Sequence, residues 1–176
     1  MNVSIFGGSS PKPGDYSYQE AYHLGRSLAG MGHIVLTGGY IGTMEAVSMG
    51  ASEAGGHVIG VTCDEIEAWR PVSPNPYIKE EWRFPTVRQR LYKLIDSCDI
   101  ALALPGGIGT LAEVSVMWSS LQTGSITSRP LILIGSGWRK TMATFFSEFS
   151  SNIPERYREL ISFASTVNDA IQLIPG

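Results

Sequence analysis

Five short apolar runs recur along the chain, and each is rich in valine, isoleucine or leucine. They cover residues 3–6, 34–37, 58–61, 100–104 and 131–134. A strand that is covered on both faces has this nearly continuous pattern, because neither set of its alternating side chains meets water. The runs therefore predict five strands of a sheet that is buried on both faces.

Between these runs, apolar residues recur about every 3.6 positions, which is the period of a helix with one buried face. These stretches cover residues 16–31, 44–54, 86–97, 110–121 and 138–149. Strands that alternate with helices form right-handed βαβ units and a parallel sheet. We therefore predict an α/β fold with a parallel sheet, formed by residues 1–176 as one domain.

The segment from Ala68 to Pro85 departs from this alternation. It holds four prolines and two tryptophans. The prolines exclude a long helix, although residues 78–84 are expected to form a short strand. A long irregular loop in a compact domain usually has a function, and the tryptophans argue against disorder. We expect this loop to lie near a ligand or a neighbouring subunit.

Composition narrows the classes of partner. The 176 residues carry a net charge of −3, only 16% of them are charged, and no block of like charges occurs. A nucleic-acid partner is disfavoured, because such proteins present a basic surface. No apolar run approaches the ~20 residues of a membrane span, and the first residues do not resemble a signal peptide. We expect a cytoplasmic protein, and the low charged fraction favours a homo-oligomer.

The cysteines and histidines do not indicate a metal site. Cys63 and Cys98 lie far apart without the spacing of zinc ligands, and the three histidines do not cluster along the chain. A disulfide framework is equally disfavoured by two widely separated cysteines. We expect Cys98 to be a buried thiol and no metal to be required.

The strongest chemical signal is the segment from Leu104 to Glu113, which reads LPGGIGTLAE. It follows a predicted strand and opens a predicted helix, whose free N–H groups and partial positive charge suit a phosphate. Gly106 and Gly107 permit positive φ and close approach of a ligand, and Gly109 permits tight packing on the sheet. Thr110 is expected to cap the helix or to donate its hydroxyl to the ligand.

Glu113 has two interpretations. Together with Thr110 it matches the capping box Thr-x-x-Glu, in which the glutamate only bonds back to the backbone. Alternatively, its carboxylate lies one turn inside the helix and acts on a sugar bound at the helix start. The sequence leaves both open.

Two further glycine turns follow the first and second predicted strands, at residues 6–10 and 37–45. The carboxyl ends of parallel strands meet at one edge of a sheet, where ligands bind in doubly wound folds. The candidate ligand-binding residues in these turns are Gly8, Ser9, Gly38, Gly39 and Gly42. The first turn lacks the pattern G-x-G-x-x-G, which disfavours a nicotinamide-dependent oxidoreductase.

Two arginines, Arg88 and Arg90, lie early in the helix predicted at residues 86–97. Arginine suits bidentate recognition of phosphate. A solvated helix face is the alternative, and it is the favoured interpretation for Arg88.

Taken together, these motifs resemble the LOG (LONELY GUY) family, whose signature PGGxGTxxE is matched at every specified position by residues 105–113. The resemblance implies a three-layer α/β/α Rossmann-like domain with a mainly parallel sheet, usually in a dimer. It also implies phosphoribohydrolase activity without a cofactor, in which a nucleoside 5′-monophosphate, including the cytokinin type, yields a free base and ribose 5-phosphate. By position, Arg90 and Glu113 match the family's catalytic residues. Its phosphate- and ribose-binding turn is matched by Gly106, Gly107, Gly109 and Thr110.

The chain departs from the family pattern at three places. Leu91 stands where the enzymes carry lysine, Ala112 where they carry glutamate, and Glu45 where they carry glycine. Glu45 is expected to add negative charge near the phosphate. The same fold also serves molybdenum-cofactor carriers, so a non-catalytic carrier or sensor of a nucleotide or of that cofactor is the alternative function.

Overall fold

The computed structural model describes residues 1–175, which form an alternating series of strands and helices. The strands are β1 (Asn2–Phe6), β2 (Ile34–Thr37), β3 (Val58–Cys63), β4 (Glu80–Phe84), β5 (Ile100–Ala103), β6 (Leu131–Ile134) and β7 (Ser162–Ala164). The helices are α1 (Tyr16–Gly30), α2 (Thr43–Glu53), α3 (Asp64–Trp69), α4 (Val87–Asp96), α5 (Ile108–Thr123), α6 (Ser136–Glu148), α7 (Glu155–Arg158) and α8 (Val167–Gln172).

The five strands predicted from apolar runs are confirmed as β1, β2, β3, β5 and β6, with bounds that differ by at most two residues. The short strand expected within residues 78–84 is β4, which begins at Glu80. The five predicted helices are confirmed as α1, α2, α4, α5 and α6. The periodic pattern did not predict α3, α7, α8 or β7, because each is only three to six residues long.

The strand order is β4-β3-β2-β1-β5-β6-β7, and every neighbouring pair is parallel. Strand β1 pairs with β2 on one side, where Ser4 lies opposite Leu36, and with β5 on the other, where Phe6 lies opposite Ala103. The chain order reverses between β1 and β5. In an open parallel sheet, the carboxyl ends of the strands at such a reversal diverge and leave a crevice.

Helices cover both faces of the sheet. Val3 and Ile5 of β1 pack in one buried cluster with α1, α2 and α8. Phe6 points to the opposite face, where a second cluster contains residues of α4, α5 and α6. The predicted α/β class and the three-layer α/β/α Rossmann-like arrangement are therefore confirmed.

Helices α1 and α2 cross at glycines. A Cβ atom added to Gly25 would lie 2.0 Å from the carbonyl oxygen of Val47, and one added to Gly50 would lie 2.0 Å from that of Tyr22. The two backbones are therefore as close as side-chain-free residues allow. This contact fixes α2, whose N-terminus lies at the carboxyl end of β1.

Both cysteines are buried and neither forms a disulfide, as expected for Cys98. Burial raises the pKa of the Cys98 thiol above its ordinary value. Within residues 1–175, no helix is both long and apolar enough to cross a membrane.

Candidate functional site

A cavity of about 350 Å³ opens at the carboxyl ends of β1, β3 and β5. It is lined by residues 7–10 after β1, Tyr40 and Met44 around the start of α2, Ile66, Trp69 and Arg70 in and after α3, Arg90 in α4, and residues 107–110 and Glu113 of α5 and its approach. It therefore contains Arg90, Glu113, Gly8, Ser9 and most of the predicted glycine-rich turn. Its position is the crevice where the strand order reverses.

The start of α2 holds the turn that follows β1. The backbone N–H and the hydroxyl of Thr43 both donate to the carbonyl oxygen of Gly8, each at 2.9 Å. Gly42 has φ +75°, and a Cβ atom there would lie 2.5 Å from the same oxygen. The first N–H of α2 is thus occupied by the protein's own backbone.

Gly38 and Gly39 lie behind the cavity and are not among the residues that line it. A Cβ atom on Gly38 would lie 1.9 Å from Nη2 of Arg90, so this glycine leaves room for the guanidinium group. The carbonyl of Gly39 accepts a hydrogen bond from the backbone N–H of Asn75, at 2.8 Å. Both glycines support the site, and direct contact of Gly38, Gly39 and Gly42 with a ligand stays a prediction.

In contrast, the N-terminus of α5 faces open space. The helix begins at Ile108 after Gly107, no side chain caps it, and the N–H of Leu111 donates to Gly107. The preceding N–H groups have no acceptor within the helix. A Cβ atom added to Gly107 or Gly109 would meet no neighbouring atom within 4 Å. Free N–H groups and the positive end of the helix dipole therefore face the cavity.

Two of the reasons predicted for these glycines, positive φ and tight packing on the sheet, were wrong, whereas close approach of a ligand to Gly106 and Gly107 stays a prediction. Gly106 and Gly107 do not adopt positive φ, and Gly109 does not pack tightly on the sheet. Gly106 is required by space instead, because its Cβ atom would lie 2.1 Å from the hydroxyl oxygen of Thr110 and 3.0 Å from the nitrogen of Gly8. This glycine lets two of the predicted turns touch.

The capping-box interpretation of Glu113 is wrong. Gly107 is the N-cap residue of α5, so Thr110 is already inside the first helical turn and cannot cap it. The carboxylate of Glu113 instead lies 3.5 Å from the guanidinium group of Arg90.

Arg90 is fixed from two sides. Its Nε donates to the carbonyl oxygen of Val61 at 2.7 Å, and its Nη1 lies 3.5 Å from Oε1 of Glu113. The guanidinium carbon is 5.9 Å from the centre of the Tyr40 ring, which is within the range of a cation–π contact. The side chains of Arg90 and Glu113 are only 8% and 10% exposed. They form a buried ion pair at the base of the cavity.

Burial raises the pKa of Glu113 from 4.5 to about 7, although the positive charge of Arg90 acts in the opposite direction. The cost of removing the carboxylate from water therefore outweighs the attraction of its partner. Near neutral pH both the protonated and the ionised carboxyl group are populated. A strongly perturbed carboxyl group in a cavity indicates a functional site.

The segment from Ala68 to Pro85, which we expect to lie near a ligand or a neighbouring subunit, lines the cavity at its beginning through Trp69 and Arg70. Helix α3 leads into this segment. Glu67 anchors the helix, because its carboxylate lies 3.2 Å from the Tyr40 hydroxyl and 2.8 Å from a guanidinium nitrogen of Arg83. The remainder of the segment runs back to the sheet as β4. Sequence reasoning had not identified Tyr40 or Arg70 as residues of the site.

Glu45 does not lie in the cavity where its negative charge is expected. Glu45 lines a separate cavity of about 360 Å³ together with Tyr18, Tyr22 and Tyr77, and it does not line the one that contains Glu113. The expectation of a negative charge beside the phosphate site is therefore wrong. Arg88 is exposed, which agrees with the solvated helix face that the sequence favours for this residue.

A family model and several named relatives match the sequence of this chain. The model of the SLOG cluster4 family matches residues 1–152. The chain belongs to the SLOG cluster4 family. This SLOG protein is 31% identical over 174 residues to the cytokinin riboside 5′-monophosphate phosphoribohydrolase LOG of Oryza sativa subsp. japonica, covering 96% of the chain and 70% of the relative. A probable enzyme of the same kind from that plant is 30% identical over 176 residues, covering 96% and 69%. The resemblance to the LOG family is confirmed.

Solved structures show the same fold. The molybdenum cofactor binding protein of Rippkaea orientalis superposes on the SLOG chain with a TM-score of 0.76 at 24% identity, over 98% of this chain and 93% of the other. At that identity, the likeness establishes the architecture and not the ligand.

Proposed function

We propose that this protein hydrolyses the N-glycosidic bond of a nucleoside 5′-monophosphate of the cytokinin type, releasing the free base and ribose 5-phosphate. The observation that carries the proposal is the buried pair of Arg90 and Glu113 in the cavity onto which the free N-terminus of α5 opens. Relatives named phosphoribohydrolases, at 30% and 31% identity over nearly the whole chain, support an enzyme of this class.

Charge supports the position that we propose for the ligand. Its phosphate binds the free N–H groups at the start of α5, where Gly107 and Gly109 leave the backbone accessible. The ribose then extends toward Glu113, one turn further along the helix. The cavity volume of about 350 Å³ lies within the range of small-molecule sites, roughly 300–1,000 Å³.

The reaction breaks the bond between C1′ and the base nitrogen and forms a bond from C1′ to the oxygen of water. Positive charge develops on the sugar in the transition state, and the ionised carboxylate of Glu113 stabilises it. The same carboxylate accepts a proton from the attacking water and passes it to the departing base, so that Glu113 ends the reaction ionised. Arg90 orients Glu113, and its N–H groups that face the cavity stabilise the electrons left on the base.

The test is incubation of the purified protein with a panel of nucleoside 5′-monophosphates, including cytokinin nucleotides, followed by chromatography of the free base. Glu113→Gln should reduce the rate by about 10²- to 10⁴-fold, the usual contribution of a catalytic acid–base group. Glu148→Gln is the matched control, because Glu148 is exposed at the end of α6 and should tolerate the same change.

Absence of base release from every nucleotide would refute the hydrolase assignment. If a nucleotide or a pterin-type cofactor then raised the thermal stability of the protein, the alternative role as a carrier or sensor would replace it. Equal loss of activity and thermal stability in Glu113→Gln would show that the pair is structural.

The domain organisation, the cellular location, the oligomeric state and the class of ligand are also proposals. We propose a single-domain cytoplasmic protein that forms a homodimer or a larger homo-oligomer, with a small-molecule nucleotide and no nucleic acid as its ligand. The side chains of Trp69 and Ile108 at the cavity support self-association, because they are 78% and 88% exposed. Light scattering after size-exclusion chromatography measures the oligomer.

A further inference from the structure

Arg70 is a cation that faces the cavity without a counter-ion. Its Nη1 donates to the hydroxyl oxygen of Ser9 at 3.2 Å. Its Nε is buried and has no hydrogen-bond partner among residues 1–175. None of the ion pairs in this part of the chain includes Arg70. A buried donor without a protein partner is uncommon, and an atom of water or of a ligand can complete its hydrogen bonding.

Nearby arginines differ in this respect. Arg83 pairs with the carboxylates of Asp64 and Glu67 at 2.7 and 2.8 Å. Arg90 is held by a backbone carbonyl and pairs with Glu113. Both already lie beside carboxyl groups, so neither is as free as Arg70 to balance a phosphate dianion.

Contacts along the cavity wall bring Arg70 to the start of α5. Its partner Ser9 follows Gly8, and a Cβ atom on Gly8 would lie 3.3 Å from the Cα of Gly106. Gly106 directly precedes Gly107, the N-cap of α5. The guanidinium group and the free N–H groups of α5 therefore line the same cavity from neighbouring segments.

We propose that Arg70 binds the 5′-phosphate together with the N-terminus of α5 and makes the site select a nucleotide over the corresponding nucleoside. This inference rests on the proposed function. The Nε edge of a guanidinium group offers two parallel N–H donors to two phosphate oxygens, and the Nε of Arg70 is the donor without a partner. The Ser9 hydroxyl accepts a hydrogen bond from Nη1 and orients the other side of the guanidinium group.

The kinetic test compares Arg70→Gln with Arg88→Gln, which removes the same charge from an exposed face of α4. For a nucleoside 5′-monophosphate, Arg70→Gln should raise KM by about 10- to 100-fold, as expected for loss of hydrogen bonds to a charged group. The kcat at saturation and the slow hydrolysis of the matching nucleoside should change little. Arg70→Lys should restore part of the affinity, and Arg88→Gln should behave as wild type.

A parallel loss for nucleotide and nucleoside, or no loss for either, would overturn the proposal, since Arg70 would then only hold the loop against Ser9. Calorimetric titration with inorganic phosphate and ribose 5-phosphate separates this inference from the proposed function. Phosphate affinity that depends on Arg70 without any turnover would retain the phosphate site and reject the hydrolase. Turnover with phosphate affinity independent of Arg70 would reject the phosphate site alone.

Discussion

Replacing Glu113 by glutamine should change how the stability of the protein depends on pH. The substitution keeps the shape of the side chain and removes its charge. Burial raises the pKa of Glu113 from 4.5 to about 7, so the folded state holds this proton more tightly than the unfolded state. Stability must therefore fall as pH rises through this window, and the full penalty applies above pH 7.

The size of the penalty follows from the displacement of the pKa. At about 1.4 kcal/mol for each pKa unit, the change from 4.5 to about 7 corresponds to about 3 kcal/mol. Glutamine at this position has no proton to lose. The free energy of unfolding of Glu113→Gln, measured relative to wild type, should therefore rise by about 3 kcal/mol between pH 4 and pH 8. That is a large fraction of the about 5–15 kcal/mol that stabilises most domains.

Urea denaturation of both proteins across this pH range, at constant ionic strength, measures the difference directly. Glu148→Gln serves as the control and should follow wild type at every pH, because Glu148 is exposed. A difference between wild type and Glu113→Gln that stays constant with pH would refute the reasoning. A difference of the opposite sign would mean that attraction by Arg90 outweighs burial and holds the pKa of Glu113 below its usual range.

Two other predictions concern the ion pair. Because the proposed reaction uses ionised Glu113, kcat/KM should decline on the acid side with an apparent pKa near the value of about 7 expected for the free protein; a flat profile between pH 5 and pH 8 would contradict this role. Gly38→Ala places a Cβ atom 1.9 Å from Nη2 of Arg90, so it should cost about 1–3 kcal/mol of stability and reduce base release. Gly30→Ala is its control, since the added Cβ atom meets nothing within 4 Å; comparable thermal melting of the two variants would show that Arg90 moves aside freely.

The central strands could be predicted because the residues of each strand by themselves indicate that the strand is buried. Strands such as β6 are buried at every position, and such a run of aliphatic residues has no other simple interpretation in a chain of this size. Strand β7 has only three residues, with one exposed serine and a half-buried phenylalanine. Its place in the sheet follows from pairing with β6, which no local pattern records.

The site was predictable to the extent that it lies in one segment. The strand, glycine turn and helix around Gly107 are consecutive, so their geometry follows from sequence. The space that Gly38 leaves for Arg90 could not be predicted, because Arg90 lies on a helix that is distant along the chain. The role of Arg70 also depends on a distant part of the chain, because its partner Ser9 is 61 positions away. The sequence therefore did not identify Arg70.

The pairing of β1 with β5 has a consequence for how the protein is made. Phe6 lies opposite Ala103, so the two central strands meet only after more than half of the chain has left the ribosome. The first four strands can assemble earlier, but they contain neither the start of α5 nor Glu113. The cavity that contains Glu113 is therefore incomplete until β5 has paired with β1. Ligand in the cell cannot guide the early steps of folding, and it protects only molecules whose central strands are already in place.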